Sequence, residues 1–161
     1  MRKLLLLFLL VPAWAAAADA PRLIYLVRHA ERADDGTDSD LSSQGFERAQ
    51  RLADFLRHVP VQAIYATNYQ RTQKTVAPLA AAKGLTTRVL SADKTEALAG
   101  ELRESSAGVV VVAGHSNTIP QLIEQLGGGQ VVIGHGDYDN VFLLILTGDS
   151  STLQRFHFTL E

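Results

Sequence analysis

Short apolar runs alternate with segments of helical periodicity along the chain. The runs predict strands, and the segments whose apolar residues recur every three or four positions predict helices. The predicted strands cover residues 23–27, 61–66, 86–90, 109–113, 141–146 and 153–158. The predicted helices cover residues from Ser42 or Ser43 to Leu56, then 69–82, 95–104 and 119–126. Repeated strand–helix alternation favours an α/β fold, a three-layer sandwich around a mostly parallel central sheet.

Several local signals support these helix boundaries. Ser42 or Ser43 is a suitable N-cap for the first helix, and Gly84 is a suitable stop for the second. The last helix is closed by the glycine run at residues 127–129. The apolar residues that keep helical spacing in the first helix are Phe46, Ala49, Leu52, Ala53, Phe55 and Leu56. The two final strands are expected to pair at an edge of the sheet.

The first residues have the layout of a secretory signal peptide. Met1, Arg2 and Lys3 form a positive region, residues 4–11 are uninterruptedly apolar, and small residues follow. The apolar run is shorter than the roughly 20 residues that a membrane-spanning helix needs. A retained membrane anchor is the alternative, but the alanine-rich stretch favours cleavage.

We therefore expect residues 1–18 to be a signal peptide and residues 19–161 to form a single domain. Cleavage after Ala18 fits better than cleavage after Ala20, which would leave Pro21 at the new N-terminus. The mature protein is expected to be periplasmic or secreted, without stable insertion into a membrane.

Composition excludes several classes of function. Without Arg2 and Lys3 the chain has 13 basic and 17 acidic residues, a net charge of −4. Such a chain has no general attraction for nucleic acid or anionic lipid, so any anion chemistry requires a local basic pocket. There is no cysteine, which excludes disulfides, a thiol nucleophile and a thiolate metal site.

Polar residues follow three of the predicted strands. Arg28 and His29 come after the first strand, residues 67–71 after the second, and residues 114–117 after the valine-rich strand at 109–113. In a parallel sheet, ligands bind beyond the carboxyl ends of the strands. These fragments are therefore expected to meet at one edge of the sheet.

The residues brought together, two histidines and two arginines, suit a phosphate group better than a metal ion. The guanidiniums of Arg28 and Arg71 would repel a divalent cation, and no paired-histidine motif is present. Arginine binds phosphate oxygens in a bidentate manner. The chain has no P-loop, and Ser116 lacks the flanking pattern of a nucleophile elbow. A histidine is therefore left as the nucleophile, His29 and His115 being the candidates at this edge.

Four motifs in order give the chain a family resemblance. They are Arg28-His29-Ala30 with Glu31, then Leu41, Ser42, Gly45, Arg48 and Ala49, then Thr67, Arg71, Thr72 and Thr75, and finally Gly114-His115. Together they resemble the histidine phosphatase superfamily, the phosphoglycerate mutase-like group. The resemblance implies the phosphoglycerate mutase-like fold. It also implies a small phosphorylated substrate, with neither metal nor organic cofactor.

The resemblance also implies roles for particular residues. His29 would be the catalytic nucleophile that becomes phosphorylated, and Arg28, Arg71 and His115 would hold the phosphoryl oxygens, His115 also being catalytic. Two departures accompany it. Ala30 stands where the family usually has glycine, and the context of the proton-donating glutamate of larger members is missing.

Asp93, in the loop after the third predicted strand, is the first candidate for the missing proton donor, and Glu96 is the second. Glu101 and Glu104 fit the solvated face of an ordinary amphipathic helix better than a catalytic role.

The sequence therefore predicts an exported phosphomonoester hydrolase that works through a phosphohistidine. A non-catalytic phosphate-binding module on the same fold is one alternative, although it would not need the nucleophile. A phosphomutase is another, although the short chain lacks the segments that usually enclose such a site. The loop at residues 134–140 either lines the pocket or turns towards the last strands. The sequence predicts neither the substrate nor the oligomeric state.

Overall fold

The structure, a computed structural model, describes residues 20–160. Its strands are β1 (Arg22–Arg28), β2 (Ala63–Thr67), β3 (Thr87–Leu90), β4 (Val109–Gly114), β5 (Asn140–Thr147) and β6 (Ser150–His157). Its helices are α1 (Ser43–Phe55), α2 (Gln70–Lys83), α3 (Thr95–Glu104) and α4 (Thr118–Gln125). Each strand and helix predicted from the sequence is present, with boundaries that differ by a few residues at most.

The six strands form one sheet in the order β3-β2-β4-β1-β5-β6. The first four of these neighbours run parallel, β5 runs antiparallel to β1, and β6 runs antiparallel to β5. The sheet is therefore mostly parallel with an antiparallel hairpin at one edge. The predicted pairing of the last two strands at a sheet edge is confirmed.

Two buried apolar clusters, one on each face of the sheet, make three layers. Alternate residues of β4 show this division, because Val110 and Val112 pack in one cluster and Val111 packs in the other. The cluster of Val110 includes residues of α3 and α4, and that of Val111 includes residues of α1 and α2. The three-layer α/β fold predicted from the sequence is confirmed.

The local signals at the ends of α1 and α2 behave as predicted. Ser42 is the N-cap of α1, and its hydroxyl accepts a hydrogen bond from the backbone N–H of Gly45 at 3.1 Å. Gly84 ends α2 in the left-handed region, with φ of 63°, a conformation that glycine adopts without a steric penalty.

Two aromatic residues of α1 do not enter the core. Phe46 and Phe55 are 49% and 44% exposed. The face of α1 that packs against the sheet is narrower than the set of apolar residues with helical spacing, so these two side chains lie outside it. The ring of Phe55 instead lies near those of Phe156 and Phe158, at centroid distances of 6.5 and 6.2 Å.

The predicted signal peptide and its cleavage positions lie outside the described residues, and they stay predictions. Within residues 20–160, no helix is both long enough and apolar enough to cross a bilayer.

Candidate active site

The carboxyl ends of three adjacent strands build one polar cleft. In the sheet, β4 lies between β1 and β2, so His115 after β4 is flanked by His29 after β1 and by the residues that follow Thr67 on β2. The backbone N–H of His29 donates to the carbonyl oxygen of Gly114 at 2.9 Å, which continues the β1–β4 ladder into the loop. The imidazole centroids of His29 and His115 are 5.3 Å apart. The cleft has a volume of about 590 Å³.

His29 is held in one tautomer. His29 is only 4% exposed, and its Nδ1 lies 2.7 Å from the carbonyl oxygen of Ala30. A carbonyl oxygen can only accept a hydrogen bond, so Nδ1 carries the proton and Nε2 of the neutral ring keeps a free lone pair. This is the arrangement that a nucleophilic imidazole needs.

Both imidazoles are neutral in the folded protein at neutral pH. Burial lowers the pKa of His29 to about 3, against the Ala30 carbonyl, which raises it, and His115, Arg28 and Arg71 lower it further by smaller amounts. Burial also lowers the pKa of His115 to about 4, and the nearby charges of Arg71 and Arg28 lower it further. His29 therefore needs no general base to become nucleophilic.

His115 is positioned by its own loop and by β2. Its backbone N–H donates to the hydroxyl of Thr118 at 2.8 Å, and its Nε2 lies 2.9 Å from the hydroxyl of Thr67. Gly114 allows α4 to approach this closely, because a Cβ there would lie 2.7 Å from the Thr118 hydroxyl oxygen. Nδ1 has no hydrogen-bond partner among residues 20–160, and it is the ring nitrogen available to a phosphoryl oxygen.

Arg71 faces the cleft from the first turn of α2. Its Nη1 donates to the carbonyl oxygen of Thr37 at 2.8 Å, and its guanidinium lies 4.4 Å from the ring centroid of Tyr69. These contacts fix the plane of the guanidinium. Its Nε is buried and has no hydrogen-bond partner within the described range.

Arg28 lines the cleft and also holds the loop that precedes β5. Its Nη1 donates to the carbonyl oxygens of Gly134 and His135 at 2.9 and 2.8 Å, and its guanidinium lies 4.1 Å from the ring centroid of Tyr138. Its Nε, like that of Arg71, is buried without a partner among the described residues. Buried donors normally find an acceptor. Two arginines that line the cleft therefore each keep an N–H group that is unpaired within residues 20–160.

The loop at residues 134–139 both lines the cleft and leads into β5, which answers the alternative left open by the sequence. His135 lines the cleft. The acids of this loop are engaged elsewhere, because Asp137 accepts from the Gly134 N–H at 2.8 Å and Asp139 lies 3.2 Å from Nδ1 of His157.

The motif from Leu41 to Ala49 supports the loop that follows β1 and does not contribute to the cleft lining. Arg48 donates from Nε to both carboxylate oxygens of Glu31, at 2.9 and 2.8 Å, in a pair that is largely buried. Gly45 permits this approach, because a Cβ at that position would lie 2.3 Å from the Glu31 carbonyl oxygen. Glu31 is thereby committed to a structural ion pair.

Ala30 occupies a tight position beside His29. It is fully buried in a small cluster with Leu41 and Ala49, and its N–H donates to the hydroxyl of Thr75 at 2.9 Å. The methyl group of alanine therefore fits where the family usually has glycine. Thr75 in turn donates to the carbonyl oxygen of Arg71 at 2.7 Å, which ties α2 to the loop after β1.

The two candidate proton donors are placed differently. Asp93 lines the cleft but is exposed, and a hydrogen bond with Ser91 lowers the pKa of its carboxyl group. Glu96 is exposed on the first turn of α3 and is not part of the cleft lining. The structure thus brings together Arg28, His29, Arg71 and His115, with Asp93 at the rim and Glu96 outside.

The sequence does not predict a site role for the other residues that line the cleft. They are Arg32, Asn68, Tyr69, Ser91, Ala92, Ser116, Asn117, Thr118 and His135. Arg32 was visible as a second basic residue close to His29, whereas His135 reaches the cleft only through the fold. Among the described residues, no group of three or more histidines, aspartates or glutamates could hold a metal ion.

Comparison with known proteins agrees with this geometry. Residues 24–92 match the model of the histidine phosphatase superfamily, branch 1. This segment contains the first three motifs, and Gly114-His115 follows it. No curated protein matches the chain by sequence.

Solved structures share the fold at low sequence identity. The α-ribazole phosphatase from Shigella flexneri superposes with a TM-score of 0.71 at 14% identity, over 86% of this chain and 99% of the other. The protein histidine phosphatase SixA in complex with tungstate gives 0.68 at 16% identity, over 84% and 96%. A mycobacterial glucosyl-3-phosphoglycerate phosphatase with inorganic phosphate gives 0.69 at 16% identity, over 86% and 97%.

The match of residues 24–92 and the shared fold therefore both agree with the resemblance seen in the sequence motifs. The phosphoglycerate mutase-like fold predicted from the sequence is confirmed by these structures. Residues 24–92 are similar to the histidine phosphatase superfamily, branch 1, and the chain shares its fold with solved phosphatases of low sequence identity.

Proposed function

We propose that this protein hydrolyses phosphomonoesters through a phosphohistidine formed at Nε2 of His29. One observation carries the proposal. A neutral imidazole with a free Nε2 lies in a cleft that is also lined by the guanidinium donors of Arg28 and Arg71, each of which has a buried Nε without a partner among the described residues. A transferring phosphoryl group supplies the oxygen acceptors that these donors require.

In the first step the lone pair of His29 Nε2 forms a bond to phosphorus while the bond from phosphorus to the ester oxygen breaks. The electron pair of that bond leaves on the ester oxygen, which takes a proton from water or an acid. The phosphorylated ring is a cation that still carries its proton on Nδ1. The Ala30 carbonyl oxygen, 2.7 Å from Nδ1, stabilises the cationic ring more strongly than it stabilises the neutral ring.

In the second step a water oxygen attacks phosphorus and the bond to Nε2 breaks. Inorganic phosphate leaves, and His29 regains its lone pair. Arg28, Arg71 and His115 can hold the three phosphoryl oxygens during both transfers. Because these donors are already in place, they stabilise the transition state of each step. The substrate is accordingly a small molecule that carries a phosphoryl group.

Export from the cytoplasm is part of the proposal. Its support is the sequence of residues 1–20, in which a positive start, an apolar run and small residues follow each other. N-terminal sequencing of protein recovered from the periplasm or medium is expected to begin at Asp19. Recovery of intact Met1 in a cytoplasmic fraction would overturn this part alone.

The central experiment compares wild type with His29→Ala on p-nitrophenyl phosphate. Turnover is expected to disappear in the variant. Quenching wild type during turnover should trap a phosphoryl group that is labile in acid and stable in base. His58→Ala is the matched control, because His58 is an exposed histidine outside the cleft. Activity above a few per cent in His29→Ala would exclude this nucleophile.

A further inference from the structure

The first turn of α2 carries Arg71 but has no acidic residue in its own sequence. Within residues 20–160, the N-cap residue Tyr69 makes no side-chain hydrogen bond to the start of the helix. A helix begins with backbone N–H groups that lack a partner inside the helix and with a partial positive charge, which together favour an acidic or hydroxyl side chain there. In α2 this partner comes from a distant part of the chain.

Asp38 supplies the partner from the loop at residues 33–40. Its Oδ1 accepts a hydrogen bond from the backbone N–H of Gln70 at 2.8 Å, although the two residues are 32 positions apart. Its Oδ2 accepts from the side-chain Nε2 of Gln70 at 3.3 Å. Both carboxylate oxygens of Asp38 therefore contact the first residue of α2.

The residue before Asp38 holds the guanidinium of Arg71. The carbonyl oxygen of Thr37 accepts from Nη1 of Arg71 at 2.8 Å. Thr37 and Asp38 thus contact two consecutive residues of α2, and the anchored carboxylate of Asp38 determines where the Thr37 carbonyl lies. Asp38 itself is exposed and is not part of the cleft lining. It acts on the cleft through these neighbours.

The charge of Asp38 also acts on Arg71, but more weakly than the contact. Burial lowers the pKa of the Arg71 guanidinium most, and the carboxylate of Asp38 acts in the opposite direction. Water and salt screen the interaction of an exposed carboxylate with a charge that it does not contact. A hydrogen bond to a backbone N–H, in contrast, fixes both distance and direction. We therefore expect the cap to matter more than the charge.

We propose that Asp38 is a positioning residue of the phosphoryl site, which caps α2 and thereby holds the Thr37 carbonyl and the guanidinium of Arg71 in the orientation that binds phosphoryl oxygens. The inference rests on the proposed function, because it takes Arg71 as a phosphoryl ligand. Asp38 touches neither the substrate nor the reacting atoms in this role. A shift of the guanidinium by about 1 Å is enough to cost up to about 10²-fold in rate.

Two substitutions separate the cap from the charge. Asp38→Ala removes the cap, whereas Asp38→Asn removes the charge and keeps an oxygen that can accept from the Gln70 N–H. We expect kcat/KM on p-nitrophenyl phosphate to fall about tenfold in Asp38→Ala and less than about threefold in Asp38→Asn. An equal loss in the two variants would overturn the cap, and so would an Asp38→Ala enzyme with the activity of wild type.

Asp40→Ala is the matched control. Asp40 also ties this loop to α2, but it does so through Lys74, and neither residue lines the cleft. The control should therefore keep kcat/KM within about threefold of wild type, even where its unfolding free energy falls. A loss in Asp40→Ala equal to that in Asp38→Ala would reduce Asp38 to a general tie of the loop and overturn the proposal.

A double-mutant cycle with Arg71→Lys shows whether Asp38 acts through Arg71. Once the guanidinium is absent, Asp38→Ala should cost less than about threefold further in kcat/KM. An effect independent of Arg71 would instead reduce kcat/KM by the same factor in both backgrounds. Such an additive cycle would overturn the proposal.

Binding of inorganic phosphate, measured by calorimetry, separates this proposal from the proposed function. If wild type did not turn over phosphomonoesters, the proposed function would fail, and the same cycle in the dissociation constant for phosphate would still test Asp38. Asp38→Ala should weaken phosphate binding when Arg71 is present and have little effect in the Arg71→Lys background. Equal weakening in both backgrounds, or none in either, would overturn the role of Asp38.

Discussion

Nδ1 of His29 donates a hydrogen bond to the carbonyl oxygen of Ala30, the next residue in the chain, at 2.7 Å. This contact determines the tautomer of the His29 ring, and burial of the ring determines its charge. The protein keeps two neutral imidazoles beside arginines, although histidine in water is partly protonated at moderately acidic pH. The energetic cost of keeping the rings neutral depends on pH.

Stability should therefore fall as the pH is lowered. The pKa values of His29 and His115 in the folded protein are about 3 and about 4, against about 6.5 when unfolded. Between these values and 6.5 the unfolded chain binds more protons, so its free energy drops relative to that of the folded protein. Lowering the pH from 7 to 5 should cost about 2 kcal/mol of unfolding free energy for each histidine.

Urea unfolding at pH 7 and pH 5 measures this loss. His29→Asn removes the titrating ring and keeps a donor for the Ala30 carbonyl, so its loss between the two pH values should be smaller than that of wild type. His58→Gln, at an exposed position, should lose as much as wild type. If His29→Asn lost as much stability as wild type, the folded His29 would not be neutral at pH 5.

Arg71→Lys tests whether the planar guanidinium of Arg71, and not only its charge, is needed. Lysine keeps the charge but cannot donate to Thr37 and to a phosphoryl oxygen from one rigid plane. We expect kcat/KM on p-nitrophenyl phosphate to fall by about 10²-fold or more, as for loss of a well-placed transition-state donor. Arg51→Lys on α1 is the control and should stay near wild type. An unimpaired Arg71→Lys enzyme would place Arg71 outside the phosphoryl site.

Gly45→Ala tests how closely α1 packs against the loop that follows His29. The added Cβ would lie 2.3 Å from the Glu31 carbonyl oxygen, so α1 or the loop after His29 must move. We expect a loss of about 1–3 kcal/mol in unfolding free energy, with reduced turnover. Gly100→Ala in α3 is the control, because its Cβ meets no atom within 4 Å. That variant should gain about 0.5–1 kcal/mol from helix propensity, and equal effects in both variants would contradict the clash.

The sequence predicted the elements well because each is encoded locally. The apolar run at β4 and the helical spacing of α3, whose predicted and observed limits agree at Thr95 and Glu104, need no knowledge of distant residues. Parallel pairing then brings His29 and His115 to one edge as a consequence of sheet topology. The core of the candidate site follows from these local signals alone.

What could not be predicted depends on contacts between distant residues. Arg28 is shared between the cleft and the backbone of Gly134 and His135, more than 100 positions later. Periodicity in the sequence does not indicate such a contact, so the sequence leaves the role of the loop at residues 134–140 open. Phe46 and Phe55 satisfy the helical pattern, yet they lie beyond the width of the sheet face that α1 covers.

The donor of the leaving-group proton is the remaining question of mechanism. Asp93 lines the cleft, but its lowered pKa keeps it ionised at neutral pH, whereas a general acid must be protonated before it reacts. Glu96 does not line the cleft. We therefore expect neither Asp93→Asn nor Glu96→Gln to discriminate between leaving groups that need a proton and those that do not.

The comparison uses an alkyl phosphate, whose alkoxide leaves poorly without a proton, and p-nitrophenyl phosphate, whose phenolate leaves readily. Without a dedicated acid, wild type should prefer the nitrophenyl ester by about 10²-fold or more in kcat/KM, because the alkoxide must gain its proton from water. Both variants should keep that preference within about threefold. A loss confined to the alkyl ester in Asp93→Asn would instead identify Asp93 as the donor, protonated only once the dianionic substrate lies beside it. The ratio of the two kcat/KM values decides this, since a general loss of binding or of stability lowers both substrates together and leaves the ratio unchanged.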